Sequence, residues 1–192
     1  DIKRLPGGDT LVVANGGIDT HPDSGRAKLN IPTMRPNLTY INGRRISEQV
    51  ELPPEMHRNS IRHLAVGSDG QVAFGMQWQG DGDAPALVAL HRQGSAPLLL
   101  EAAEDMHGYI GSIALSDDGA EIAVTSPRAG LVQMFDATRA TYGRSIALTD
   151  VCGVAAASDD FIVTSGTGIL QRLSGRRTPE RPLMWDNHLV RL

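Results

Sequence analysis

The sequence predicts an all-β protein of the β-propeller class, with about four blades of four antiparallel strands each. One pattern occurs four times: a short apolar strand, a tight turn that contains Asp or Gly, and a second apolar strand that ends in a small or polar residue. The composition agrees, because 21 Gly, 11 Pro and only 4% aromatic residues suit many short strands joined by tight turns. Such repeats form one sheet each and stack radially to bury both faces.

The four units are predicted at about residues 1–53, 54–104, 105–149 and 150–186. Their first strands begin near Ile2, Ile61, Ile113 and Val154, at intervals of 59, 52 and 41 residues. The shortest interval is close to that of a bare blade, so the longer units contain insertions. The largest insertion, residues 16–36, has neither helix nor strand periodicity, and loops of this length are usually functional or disordered.

Each unit divides into four predicted strands, with the innermost first. Turns such as Asp69-Gly70 and Asp118-Gly119 separate the first two strands, as a tight hairpin requires. The first and second strands are predicted at residues 2–5 and 11–15, 61–64 and 72–75, 113–115 and 122–125, and 154–156 and 161–164. The third strands are predicted at residues 38–41, 86–90, 131–135 and 169–173. The fourth, at the outer edge, are predicted at residues 46–52, 97–102, 144–148 and 181–184.

The last six residues are predicted to form a closing inner strand. Residues 187–192 repeat the beginning of the second unit, residues 62–67, with His and Leu at matching places. In a closed ring such a strand completes the first blade and removes the long open edge. The chain begins without Met, inside a repeat, so we expect a fragment or processed product of a larger ring whose N-terminal blades are missing.

Charge and composition exclude some classes of partner. The net charge of −4 with mixed signs argues against nucleic acid, which requires a basic face. No apolar run approaches the roughly 18 to 20 residues of a membrane helix, so no membrane span is expected. Cys152 is the only cysteine, which excludes an internal disulfide but does not separate cytoplasm from periplasm.

None of the motifs that identify a reaction occurs in the chain. There is no His-Glu-x-x-His, no paired-Cys zinc spacing and no phosphate-cradling Gly loop followed by a helix. Catalytic residues, metal ligands and cofactors are therefore not assigned. His91, on a third strand, is expected to be solvated.

Polar residues are predicted to gather on one face of the propeller, its mouth, where loops between strands and between blades emerge. Propellers usually bind ligands there. The candidate ligand-binding residues are His21, Asp23, Arg26, Arg62, His63, Tyr109, Asp186, Asn187 and His188. Other polar residues expected on this face include Asn15, His57, Gln77, Asp83, His107, Ser126, Arg128 and Asp150.

Several candidates have a structural alternative. His63 and His188 occupy equivalent places at the head of an inner strand, where a hydrogen bond to a neighbouring backbone is favoured over a ligand or proton-transfer role. Arg62 could bind a carboxylate or phosphate through its planar fork, or pair with Asp186 across a blade junction. Cys152 is interpreted as a buried small residue rather than a nucleophile.

The segment from His21 to Arg26 allows two interpretations. His21 and Asp23, two residues apart with Arg26 beyond, could offer an imidazole and a carboxylate to one metal ion. Pro22 and Gly25 equally suit a structural turn, and the turn is the favoured interpretation.

Several runs resemble a known family in their order along the whole chain. They include Leu-Val-Val-Ala-Asn-Gly-Gly-Ile at residues 11–18, Thr-His-Pro-Asp-Ser-Gly-Arg at residues 20–26, Ser-Ile-Arg-His-Leu at residues 60–64, and Trp-Asp-Asn-His-Leu at residues 185–189. Residues 108–112 and 150–154 match as well. The chain resembles the C-terminal half of the bacterial family called domain of unknown function 1513.

This resemblance implies an architecture and a cellular setting. It implies a seven-bladed ring of the class that includes quinoprotein-like and surface-layer repeat proteins, exported to the periplasm, often by a twin-arginine signal peptide. It also implies gene neighbours for imelysin-like and di-haem oxidoreductase-like proteins that serve iron uptake. It assigns no reaction and no ligand.

Three functions follow as hypotheses. The favoured one is a ligand- or partner-binding platform for a small anionic ligand, a metal complex or a periplasmic protein, accessory to iron uptake, because the polar residues converge without a nucleophile–base pair. The alternative is an enzyme at the mouth, either a lactonase-like hydrolase or a cofactor-dependent redox protein. The third is a purely structural scaffold.

Overall fold

The structure is a computed structural model that describes residues 1–25, 27–175, 178–179 and 181–190. In this part of the chain, fifteen strands form four antiparallel sheets that follow one another along the sequence. The all-β, propeller-like prediction is confirmed, and the sheets are not closed into a ring. No described helix has the length and apolar character that crossing a membrane requires.

Each sheet is a meander in which consecutive strands are hydrogen-bonded neighbours. The first sheet contains β1 (Ile2–Arg4), β2 (Thr10–Asn15), β3 (Asn37–Asn42) and β4 (Arg45–Glu51). The second contains β5 (Asn59–Val66), β6 (Val72–Trp78), β7 (Val88–His91) and β8 (Leu98–Leu100). The third contains β9 (Ser112–Leu115), β10 (Glu121–Ser126), β11 (Leu131–Asp136) and β12 (Thr141–Ala147). The fourth contains β13 (Val151–Ala157), β14 (Asp160–Ser165) and β15 (Leu170–Arg172).

Helical structure in the described residues is limited to three short 3-10 turns. Two of them, Pro22–Ser24 and Ile31–Thr33, lie in the insertion between β2 and β3. The third, Pro54–Met56, connects the first sheet to the second. All three have Pro at the first or second position, where its fixed φ suits a helical turn and its missing N–H costs nothing.

The end of the chain differs from the prediction. The described residues of the predicted strand 181–184 are not in a strand, so the fourth sheet has three strands in the described part of the chain. Instead, the Arg181 N–H donates to the Gly168 carbonyl at 3.1 Å, at the end of the β14–β15 hairpin. The Thr178 hydroxyl donates to the Leu170 carbonyl at 3.2 Å, at the edge where a fourth strand would pair.

The predicted closing strand is not seen in residues 187–190, which are in no strand, and residues 191–192 lie outside the described residues. The unit boundaries, the larger ring and the missing N-terminal blades stay predictions.

The core lies between consecutive sheets. Alternate residues of the strands point to a neighbouring sheet, as Val12 and Ala14 of β2 do. Three clusters of buried residues result, one at each interface. Their largest members include Leu38, Phe74 and Met76 between the first two sheets, Ile110, Ile122 and Phe135 between the second and third, and Met134, Phe161 and Val163 between the third and fourth. Each such side chain contributes about 1.5–3 kcal/mol on burial, so stacking stabilises the assembly.

His91 is buried, contrary to the expectation that it is solvated. It is 2% exposed and lies opposite Val72 in the β6–β7 ladder. Its Nδ1 is 2.6 Å from the Tyr40 hydroxyl of the first sheet, and its Nε2 is 3.1 Å from the Ser95 carbonyl. The first sheet covers the face of β7 that carries His91. The alternation of apolar and polar residues along one strand does not show which of its faces a neighbouring sheet covers.

Candidate functional site

A cleft of about 760 Å³ lies where β5 begins and β6 ends. We call it the inner cleft. It is lined by Asp1, Ile18, Thr20, Gly25, Lys28, Arg62, His63, Gln77, Tyr109, Asp186, Asn187 and His188. Six of the nine candidate residues from the sequence are in this group: Arg62, His63, Tyr109, Asp186, Asn187 and His188. They come from the second sheet, from the segment that leads to β9, and from the residues after the fourth sheet.

Two of the three candidates in the insertion are not brought into the inner cleft. His21 and Asp23 are exposed and do not line it. The His21 Nδ1 accepts a hydrogen bond from the Asp23 N–H at 3.2 Å and so caps the turn Pro22–Ser24, which agrees with the structural alternative for this segment. Arg26 lies outside the described residues. Over the described residues, no group of three or more His, Cys, Asp or Glu side chains could hold a metal ion.

Arg62 enters the cleft at an irregularity of β5. In the β5–β6 ladder Ile61 pairs with Met76 and His63 with Gly75, so Arg62 is the extra residue of a β-bulge. A bulge bends the strand and redirects its side chains. A Cβ on Gly16 would lie 2.7 Å from the Ser60 Oγ and 3.4 Å from the guanidinium carbon of Arg62. The glycine is therefore required by Ser60, whose hydroxyl donates to the Gly16 carbonyl at 2.9 Å, while the guanidinium lies in ordinary contact beside it.

The charge of Arg62 has no counterion among the residues that the structure describes. No described carboxylate lies within 4.0 Å of its guanidinium, so the alternative pair with Asp186 is not formed. The Arg62 Nε is also buried without a hydrogen-bond partner there. Buried polar groups are normally paired, and an unpaired one is destabilising.

His63 and His188 face each other in the cleft. Their ring centroids are 5.6 Å apart with a tilt of 56° between the planes. Burial is the main cause that lowers the pKa of His63 to about 4, and the neighbouring His188 ring, the N-terminal amine and Arg62 contribute to the same shift. His63 is therefore neutral near pH 7, with one ring nitrogen that donates and one that accepts a hydrogen bond.

Tyr109 is fixed by contacts on three sides. Its backbone forms an isolated antiparallel bridge with Gln77 at the end of β6. The guanidinium carbon of Arg128 lies 4.4 Å from the centre of its ring, which is a cation–π contact. Its hydroxyl accepts a hydrogen bond from the Asn187 side-chain amide at 3.4 Å. The ring therefore connects the second sheet to the end of the chain.

Three cleft residues belong to residues 185–190, which we call the tail. The tail is held by docking rather than by a strand ladder. The Trp185 N–H donates to the Ser165 carbonyl of β14 at 3.4 Å. A Cβ on Gly111 would lie 3.1 Å from the Asn187 Oδ1, and a Cβ on Gly153 would lie 2.9 Å from the Leu189 Cβ. Two glycines thus allow the tail to approach the backbone closely and to reach His63.

Sequence reasoning did not identify all of the cleft residues. It missed Asp1, Ile18, Thr20, Gly25 and Lys28. Lys28, whose Nζ donates to the Gln79 side chain, lies in the long insertion that the sequence already marked as functional or disordered. A basic residue in such an insertion is a signal from which Lys28 could have been found. No sequence signal points to Asp1. Its carboxylate reaches the cleft because β1 lies beside β5, where the Asp1 Oδ2 accepts a hydrogen bond from the Leu64 N–H at 3.0 Å.

Stacked antiparallel sheets with a polar cleft beside β5 and β6 define a propeller-like repeat protein with a candidate binding site. The model of the family described as "Protein of unknown function (DUF1513)" matches residues 1–192, so the chain belongs to this family. The family membership predicted from the sequence is confirmed. No curated protein matches the chain.

Proposed function

We propose that the protein is a binding module that holds a small anionic ligand in the inner cleft, with Arg62 as the main anion-binding group. The observation that carries this proposal is the Arg62 guanidinium, which lies in the cleft without a described counterion and with its Nε buried and unpaired. A carboxylate or phosphate would compensate this charge and accept two parallel N–H bonds from the planar fork.

The rest of the inner cleft supports a ligand of this kind. Lys28 adds a second positive charge, and Asn187 and neutral His63 add uncharged donors. The volume of about 760 Å³ falls within the range of roughly 300–1,000 Å³ that small-molecule sites occupy. The site therefore has the size and the donors for a small organic acid or phosphate.

Binding is a better account of this cleft than lactonase-like hydrolysis. A general base works best when its pKa is close to the working pH. Because the pKa of His63 is lowered to about 4, chiefly by burial, this imidazole is a weak base at neutral pH. It is better suited to hydrogen bonding than to activating water.

The first test is a binding measurement on Arg62 variants. Calorimetry with acetate, citrate and inorganic phosphate at constant ionic strength is expected to show binding of at least one anion. Arg62→Gln should weaken it about tenfold or more, since a hydrogen bond to a charged group contributes about 1.5–3 kcal/mol. Arg62→Lys should be intermediate because it keeps the charge and loses the fork.

Arg44→Gln is the matched control, because Arg44 is exposed in the β3–β4 turn and outside the inner cleft. It should bind as the wild type does. The proposal is wrong if no anion binds to the wild type at millimolar concentration, or if Arg62→Gln and Arg44→Gln bind equally well.

We also propose that the protein acts in the periplasm, as an accessory of iron uptake that binds a periplasmic protein partner. The family resemblance supports this setting. Fractionation of bacteria that express the full-length protein under iron limitation tests it. Recovery with periplasmic markers, and higher abundance when iron is scarce, are expected; recovery with cytoplasmic markers would contradict the proposal.

A further inference from the structure

The inner cleft carries charges of both signs that do not neutralise each other. Arg62 on β5 and Asp186 on the tail both line it. Their charged atoms are more than 4.0 Å apart, since no ion pair joins them. Asp186 is exposed, and its Oδ1 accepts the Asn187 N–H at 2.7 Å. Within the described chain, its Oδ2 has no hydrogen-bond partner.

The other two charged side chains of the cleft already have structural partners. The Asp1 carboxylate accepts the Leu64 N–H at 3.0 Å and the Ile2 N–H at 2.8 Å, and so holds the start of β1 against β5. The Lys28 ammonium donates to the Gln79 side chain. Because Gln79 is neutral, the charge of Lys28 is not compensated and adds to that of Arg62 on the positive side of the cleft. Asp186 is the described carboxylate whose charge stays open to a ligand on the negative side, and a simple anion would leave it without a partner.

We infer that the ligand of the inner cleft is zwitterionic: its carboxylate binds Arg62 and its protonated amine binds Asp186. This inference rests on the proposed anion binding at Arg62 and adds the second charge of the ligand. Opposite charges on two walls favour a molecule whose own charges are arranged in the complementary order. They also disfavour a dianion, which would place a negative charge near Asp186.

The two charged residues that would bind the zwitterion belong to different elements of the fold. Arg62 is on a strand of the second sheet, whereas Asp186 is on the tail, which is in no strand. A ligand that binds both residues would connect the tail to the second sheet. Amide hydrogen exchange of residues 185–190 should therefore slow down when a zwitterion binds.

The test compares acids that differ only in the amine. Calorimetry at pH 7 and low salt uses acetate and glycine, butanoate and 4-aminobutanoate, and hexanoate and 6-aminohexanoate. At least one amino acid is expected to bind about fivefold more tightly than its amine-free partner, the effect of an exposed ion pair of about 1 kcal/mol. Asp186→Asn should remove this advantage, so that each amino acid binds no more tightly than its amine-free partner. Asp23→Asn, an exposed acid outside the cleft, should change neither.

The outcomes separate this inference from the proposed function. If no acid binds with or without an amine, both are wrong. If the acids bind and Arg62→Gln abolishes binding, but the amine adds nothing, the anion site stands and the zwitterion is wrong. An advantage of the amine that survives Asp186→Asn overturns the assignment to Asp186. A zwitterion that binds without slowing exchange in residues 185–190 overturns the bridging geometry.

Discussion

Two adjacent residues, Arg62 and His63, both reach the inner cleft, which a regular strand would not allow. Successive side chains of a strand point to opposite faces. The bulge between Ile61 and His63 adds one residue to β5 and so brings both side chains to the same cleft. The sequence predicted both residues at one mouth, but it could not show how two adjacent strand residues reach the same cleft, because a bulge depends on the register with β6.

The same position makes His63 sensitive to acid. Its pKa is about 4 in the folded protein and near 6.5 when exposed, so the unfolded chain binds more protons between these values. The contribution of His63 to the free energy of unfolding is therefore fully present above pH 6.5, and it is lost as the pH falls toward 4 because the unfolded chain is protonated first. We predict that wild type loses roughly 2 kcal/mol more unfolding free energy between pH 7 and 4.5 than His63→Gln.

Urea unfolding at the two pH values measures this difference. His21→Gln is the control, because His21 is exposed and outside the inner cleft, and it should keep the acid sensitivity of the wild type. Equal acid sensitivity of His63→Gln and wild type would show that His63 does not cause it.

At the scale of elements, local signals predicted the strands well. The predicted fourth strand of the first unit, residues 46–52, corresponds to β4 (Arg45–Glu51), and the predicted third strand at residues 131–135 corresponds to β11 (Leu131–Asp136). Alternation of apolar residues and Asp-Gly turns are properties of neighbouring residues, so one sequence is enough to read them.

The tail could not be predicted in the same way. His188 matches His63 in sequence, and the prediction therefore gave both the same place in an inner strand. In the structure His63 is in β5, whereas His188 is outside any strand and faces His63 across 5.6 Å. What holds the tail is close packing on Gly111 and Gly153, which are far away in sequence. Contacts between residues so far apart in sequence leave no periodic signal. The position of Asp186 in the inner cleft depends on the same docking of the tail, so no local pattern shows it.

At the scale of the whole molecule, stability depends on interfaces between consecutive sheets. Each of the three buried clusters joins two neighbouring sheets, so every sheet is coupled directly only to those beside it. The first interface also contains a buried polar contact, in which the Tyr40 hydroxyl meets His91 Nδ1 and Glu48 lies 3.7 Å from His91 Nε2. Removing one partner of a buried hydrogen bond costs about 1–3 kcal/mol.

We predict that Tyr40→Phe lowers the free energy of unfolding by about 1–2 kcal/mol, because it leaves the His91 ring nitrogen without its partner. The chain's two tryptophans can report whether this loss spreads beyond the first interface. Trp78 is at the end of β6, and Trp185 is bonded to β14 of the fourth sheet. In single-tryptophan variants, urea unfolding followed by fluorescence should show the same midpoint at both positions, and Tyr40→Phe should shift both midpoints equally.

Equal shifts follow if the three clusters make the stacked sheets unfold in one step. Tyr142→Phe is a matched control, because its hydroxyl bonds to Ser145 within one strand of the third sheet and joins no two sheets. It should change both midpoints less than Tyr40→Phe does. A shift at Trp78 with none at Trp185 would instead mean that the sheets unfold separately, as independent repeats do. The inner cleft, which takes residues from the second sheet and from the tail, would then lose its shape before the fourth sheet unfolds.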